Sequence, residues 1–131
     1  MPLTQDRNTP MKATEVLVVP VAAGVRIFGG ALVMANAAGL ALSGSTAVGQ
    51  TYLGRAEEYV DNRDGAAGAV SVEVRRGKAF KWANDGSVTQ AHLLKTAYIV
   101  NDETVAATDG GATRSAAGRI VGIDADGVWV E

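Results

Sequence analysis

The sequence predicts a mainly β protein: a small β-barrel or β-sandwich of short antiparallel strands, with one short helix and an extended N-terminal arm. Three observations lead there. Short runs rich in Val, Ile and aromatic residues alternate apolar with polar side chains, the period-2 pattern of strands with one buried face. Asx-Gly and Gly-Gly pairs punctuate these runs, most densely in the last third of the chain. The composition is 47% hydrophobic but only 5% aromatic, with 16 glycines, so the core is built from small pieces set among close turns.

At 131 residues the chain has the length of one domain. Residues 1–14 are polar, carry Pro2 and Pro10 and show no periodicity, which reads as an extended arm that orders on a surface; residues 15–131 read as a single β-rich domain. Glu15 to Val21 is a β-branched apolar run, and Pro20 confines it to a sheet edge or a strand end. Gly24 to Gly30 is a second short strand bracketed by glycine. Ala31 to Ala38 followed by Leu40-Ala41-Leu42 reads as a hairpin across Asn36 to Gly39.

Gly49 to Ala56 is the next strand, and Asp61-Asn62-Arg63-Asp64-Gly65 turns the chain towards Ala69 to Arg75. There Val70, Val72 and Val74 face one side, and Ser71, Glu73 and Arg75 the other. Arg76-Gly77 is a turn, Lys78 to Trp82 alternates again, and Asp85-Gly86 turns once more. Thr89 to Lys95 reads as about two turns of helix, with Thr89 or Ser87 as N-cap. Strands return over Ala97 to Val105 and over Ala117 to Val130, separated by a glycine-rich connection at Asp109 to Arg114. Tyr52 to Glu73 and Ile120 to Glu131 echo one another weakly, each a strand, an Asp/Gly turn and a strand ending in Val-x-Val-Glu or its near equivalent.

Charge and motif arguments narrow the function. The net charge is −2, from 12 basic and 14 acidic residues interspersed along the chain, without the basic excess of a nucleic-acid binder. There is no cysteine, hence no disulfide framework or thiolate metal site, and no membrane-length apolar run or signal-peptide core. The expectation is a protein made in a cytoplasm that binds neither nucleic acid nor membrane and carries no cofactor.

The candidate chemistry is thin. His92 is the sole histidine and has no carboxylate at ligand or catalytic spacing. Asp124-Ala125-Asp126-Gly127 opens like a calcium loop but lacks the later oxygen ligands, and reads as a hairpin turn. Asp61 to Gly65 reads the same way, so no metal site is expected. Arg75-Arg76-Gly77-Lys78, with Lys81 and Trp82, is the one basic and aromatic cluster, suited to a solvated hairpin end or to carboxylate or phosphate contact. No phosphate-binding loop, nucleophile elbow, triad or paired-carboxylate motif is present, so an enzyme is not expected.

The segments Tyr98-Ile99-Val100-Asn101-Asp102-Glu103-Thr104-Val105, Thr108 to Arg114, Ala117-Gly118-Arg119 and Asp124 to Val130 resemble the C-terminal part of small head proteins of Mu-like and related prophages, which resemble the capsid decoration (cement) proteins of tailed phages. The first half resembles them only in its Ala/Gly/Val-rich style. The resemblance implies a non-enzymatic β-rich domain that oligomerises on the outer surface of the expanded head and locks neighbouring capsomers together. Its partners would be the major capsid protein and itself, as a trimer ahead of a dimer. On that reading Leu3, Gln5, Arg7 and Met11 of the arm contact the capsid, and Phe28, Arg75, Arg76, Trp82 and Trp129 are interface candidates, with core the alternative for each large side chain. The competing expectation is a small-ligand or carbohydrate-binding β-barrel, against which the low aromatic content counts.

Overall fold

The computed structural model describes residues 2–131, so Met1 of the arm lies outside the described residues. Twelve strands follow in order: β1 Val16–Pro20, β2 Val25–Ile27, β3 Leu32–Ala35, β4 Ala41–Ser43, β5 Thr51–Ala56, β6 Val60–Asn62, β7 Ser71–Arg75, β8 Phe80–Asn84, β9 Thr96–Ile99, β10 Thr104–Ala106, β11 Ala116–Asp124 and β12 Gly127–Val130. The first half forms a five-stranded antiparallel sheet in the order β1-β7-β5-β3-β4, and the second half a closed five-stranded barrel, β10-β8-β12-β11-β9. The barrel is antiparallel except where β10 runs parallel to β8. The expectation of a mainly β chain, a small barrel or sandwich of short antiparallel strands, agrees with this closed barrel and antiparallel sheet.

The first sheet is rolled. Just past β1, Val21 bridges to Ala41 of β4, and the Ala22 N–H donates to the Ala41 carbonyl, so the two edges of the sheet meet at that end. The ribbon of β2 and β6 packs over the roll. Inside lie Val19, Val21, Ile27, Ala31, Val33, Ala41, Ala56, Val72 and Val74. The predicted alternation along β7 is realised, with Val72 and Val74 sealed and Ser71 and Glu73 exposed.

The barrel encloses a second core of Phe80, Trp82, Val88, Ala97, Ile99, Val105, Ile120, Val128 and Val130, and β3 joins the two cores. Leu32 and Met34 enter the barrel core, whereas Val33 enters the roll, so all four residues of β3 are buried. The hairpin from β3 to β4 has its predicted turn: the Asn36 side-chain oxygen accepts the N–H groups of Ala38 and Leu40, and Gly39 takes φ +79°.

Three sequence expectations change. The two-turn helix over Thr89 to Lys95 is a single 3₁₀ turn, Gln90–His92. Leu94 sits at φ +63°, its N–H donates to the Ile120 carbonyl, and the Lys95 carbonyl accepts the Ile120 N–H. Sheet-like bonding to β11 thus replaces a helix too short to repay its own nucleation. Secondly, Asp61 and Asn62 belong to strand β6, paired with β2, and the turn begins after them. Thirdly, the internal echo does not extend to topology: β6 intervenes between β5 and β7, while β11 and β12 form a direct hairpin.

Candidate interaction surface

The arm residues singled out by sequence, Leu3, Gln5, Arg7 and Met11, all lie in solvent, as does every residue from Pro2 to Val16. Among the described residues, the one side-chain bond of the segment runs within it: Arg7 Nη1 donates to Thr9 Oγ1 at 2.7 Å. The arm bends at Thr4 and Gln5; beyond that bend Arg7, Thr9 and Met11 stand two apart, the spacing that shares a face when a chain is extended.

The arm leads into β1, an edge strand. Glu15 accepts the Arg76 N–H and Val21 donates to the Val70 carbonyl, so the odd-numbered residues of this run turn their backbone groups towards β7. The N–H and C=O groups of Val16 and Val18 therefore point to the open edge, and among the described residues they make no hydrogen bond. Their side chains are also exposed, Val18 by 67%. Sequence reasoning confined this run to a sheet edge or a strand end through Pro20 but did not single out the two valines, whose exposure depends on the strands beside them.

Phe28 is half exposed at the end of β2, its ring 5.6 Å from that of Tyr59, with the Arg26 guanidinium 4.7 Å above it. Beside it opens a concavity lined by Phe28, Gly29, Gly30, Ala31, Asp102 and Glu103. Tyr59 is the second aromatic that sequence reasoning did not place here; it follows a Glu-Glu pair in a segment without periodicity. Below this patch Asp61 is clasped by Arg63, whose hydrogen bonds hold its carboxyl well below the usual carboxylate range.

Trp82 is not available as an interface residue. It is buried in the barrel core, because it alternates inward with Phe80 on β8, and its Nε1 donates to the Tyr52 hydroxyl at 3.2 Å. Burial pushes the Tyr52 hydroxyl up to about 12, with the Trp82 bond opposing part of that rise. Trp129 points outward from β12 on the opposite alternation. Its Nε1 donates to Asp124 Oδ2 at 2.7 Å, and Lys81 lies over its ring while bonding Asp126 at 3.0 Å. Lys81 lowers the Asp126 carboxyl from its ordinary value. Both acidic groups of the Asp124 to Gly127 turn are thus taken by donors of the protein itself.

Arg75 is paired with Glu57, which also holds Arg55, and the two guanidinium groups lower the Glu57 carboxyl, Arg55 most. Arg76 is exposed on the β7 to β8 turn beside Gly77 and Lys78, near an open groove that reaches Phe80, Gly118 and Glu131. The basic cluster therefore divides into a neutralised member, Arg75, and a solvated pair, Arg76 and Lys78. His92 accepts the Thr89 N–H through Nδ1 and closes the 3₁₀ turn. Leu93 and Leu94 next to it are exposed, another apolar spot.

Among the described residues no three His, Asp or Glu side chains converge as metal ligands, and no helix is long and apolar enough to cross a membrane. What the surface offers is non-covalent contact: an exposed arm, an open strand edge, two half-exposed aromatic sites and a basic turn. No family model, curated protein or solved structure matches this chain.

Proposed function

We propose that this protein is a capsid decoration, or cement, protein of a tailed phage. It binds the outer surface of the expanded head as a symmetric oligomer and stabilises contacts between capsomers, without catalysis. The observation that carries the reading is the exposed run from Pro2 to Val16 joined to a small, closed β domain. Such an arm can adapt to a second surface on binding, while the domain, with its own two cores, stays folded. The half-exposed Trp129 and Phe28 sites and the Arg76-Lys78 turn supply further weak contacts. Repeated by symmetry, contacts of this kind add through avidity. The resemblance of Tyr98 to Val130 to prophage head proteins points the same way, with the major capsid protein as partner and a trimer ahead of a dimer.

The test is co-sedimentation with expanded capsids that lack the protein. Saturable binding by the full chain, lost when residues 2–14 are deleted, supports the reading; no binding by either form refutes it. One feature favours the alternative of a small-ligand or carbohydrate-binding module: the Phe28–Tyr59 pair beside the concavity at Asp102 and Glu103. A glycan panel answered by the wild type and not by Phe28→Ala would establish that alternative.

A further inference from the structure

We propose that β1 is the receptor for the arm of a neighbouring copy, and that residues 7–9 of that arm add to it as an antiparallel strand. The open edge presents two full sets of backbone donors and acceptors, at Val16 and Val18, flanked by exposed apolar side chains. An edge of this composition, with no charge from Val16 to Pro20, is one that folded proteins cover. The arm of the same molecule leaves it open: no hydrogen bond from residues 2–14 to the body is present among the described residues. Thirteen extended residues reach roughly 40 Å, enough to span to a second domain.

The arm is patterned for this edge. Even-numbered β1 residues point their backbone outward, and the face of β1 that carries Val16 and Val18 must meet residues of one parity in the arm. With Arg7 opposite Val18 and Thr9 opposite Val16, short of the end of β1 that β4 covers, the odd residues supply the ladder bonds. Both arm prolines, Pro2 and Pro10, then fall at even positions, where no N–H is needed. Pro20, lacking an N–H, marks where the ladder stops. Charge agrees with the register. Glu73 lies directly across from Val18 on β7, on the same face, exposed and without an ion pair among the described residues. Arg7, one strand further out and roughly 10 Å from Glu73 between Cα atoms, spans the Val18 side chain with its own length. Leu3 and Met11 flank the paired segment and remain free for another surface.

This inference goes beyond the capsid reading and does not depend on it, because it is tested with no capsid present. Sedimentation of the full-length protein alone is expected to show a concentration-dependent oligomer. A proline scan of the arm reads the ladder without touching the folded body. Arg7→Pro and Thr9→Pro each weaken association by roughly five- to tenfold, the loss of one backbone bond with its local geometry, whereas Asp6→Pro and Asn8→Pro leave it unchanged. Arg7→Glu and Glu73→Arg each weaken assembly, and mixing the two charges in one doubly substituted chain restores it. Val18→Pro removes an outward N–H and acts like Arg7→Pro while the thermal transition stays in place. The proposal is overturned if odd and even prolines behave alike, if deletion of residues 2–14 leaves the oligomer intact, or if the full chain is monomeric at its solubility limit. Loss of capsid binding with an unchanged oligomer would assign the arm to the capsid alone.

Discussion

Asn62 offers the sharpest test of how the first half is held together. Only 2% exposed, it spends its side-chain amide on three backbone carbonyls: Ala66 at 2.9 Å, Ala22 at 3.0 Å and Val21 at 3.3 Å. Those carbonyls belong to the segment where β1 crosses to β4 and to the loop after β6, so one side chain fastens the rolled sheet to its covering ribbon. Asn62→Asp keeps the shape and replaces the donors by acceptors. The Val21 and Ala66 carbonyls keep the N–H groups of Gly68 and Ala69, so Ala22 is the carbonyl that loses its donor, at about 1–3 kcal/mol, and the uncompensated buried charge raises the loss to about 3–5 kcal/mol at neutral pH. The loss must depend on pH. Burial and the facing carbonyls hold the new carboxyl above its ordinary value of about 3.9. A raised folded value means the penalty is smallest below the unfolded value and grows as pH climbs towards the folded one, by about 1.4 kcal/mol per unit. Urea unfolding followed by tryptophan fluorescence, for wild type, Asn62→Asp and Asn62→Ala, measures both parts. Contributions from carboxylates common to all three chains, such as Asp61 and Glu57, cancel in the differences. Asn62→Asp within about 0.5 kcal/mol of wild type at pH 7, or a penalty equal at acid and neutral pH, would refute the reasoning.

Three further outcomes are expected. Tyr52 stays neutral in the fold up to about 12 but ionises near 10 when unfolded, so wild-type stability falls by up to about 2–3 kcal/mol across that alkaline interval, and the fall is absent in Tyr52→Phe; denaturant titrations at graded pH check it. Gly54→Ala places a methyl group against the Arg75 carbonyl at a backbone φ of +141°, and a loss of more than about 3 kcal/mol is expected in thermal or urea melts. Leu32→Ala opens a cavity in the barrel core from a strand of the other sheet, costing about 3–4 kcal/mol, with the calorimetric transition remaining single.

What the sequence made legible was whatever is written in residue-to-residue alternation. The strand over Ser71 to Arg75, the hairpin around Asn36 to Gly39 and the turn within Asp124 to Gly127 follow from local pattern and turn chemistry, although Gly127 opens β12 rather than sitting in the turn itself. The helix over Thr89 to Lys95 failed because its rival was non-local: Leu94 and Lys95 bond Ile120, some 25 residues away, and no window of sequence contains both. Strand β6 was hidden because Asp61 and Asn62 are residues of turns, and only the pairing with β2 and the three carbonyls around Asn62 make strand the better use of them. Among the surface candidates, alternation separates Trp82 from Trp129. Each sits on a strand whose inward residues are apolar, but the inward phase is set by the partner strand, which the sequence does not name. The exposure of residues 2–14, outside every strand, accords with their polarity and prolines. Pro20 marked β1 as a sheet edge or a strand end, but the exposure of Val16 and Val18 depends on which strands lie beside it.

Strand β3 also sets the order in which the chain can become safe. It is made early, yet Leu32 and Met34 belong to a core whose remaining members, Phe80 to Val130, come later in the chain. A nascent chain that has completed β7 can close the rolled sheet around Val33 and its neighbours, but it must hold one apolar side of β3 uncovered until the barrel arrives. That interval is where a chaperone would bind and where partly made chains would clump. Slowing translation between β7 and β8 should therefore lower the soluble yield more than an equal delay after β12, although the finished protein is identical in both cases.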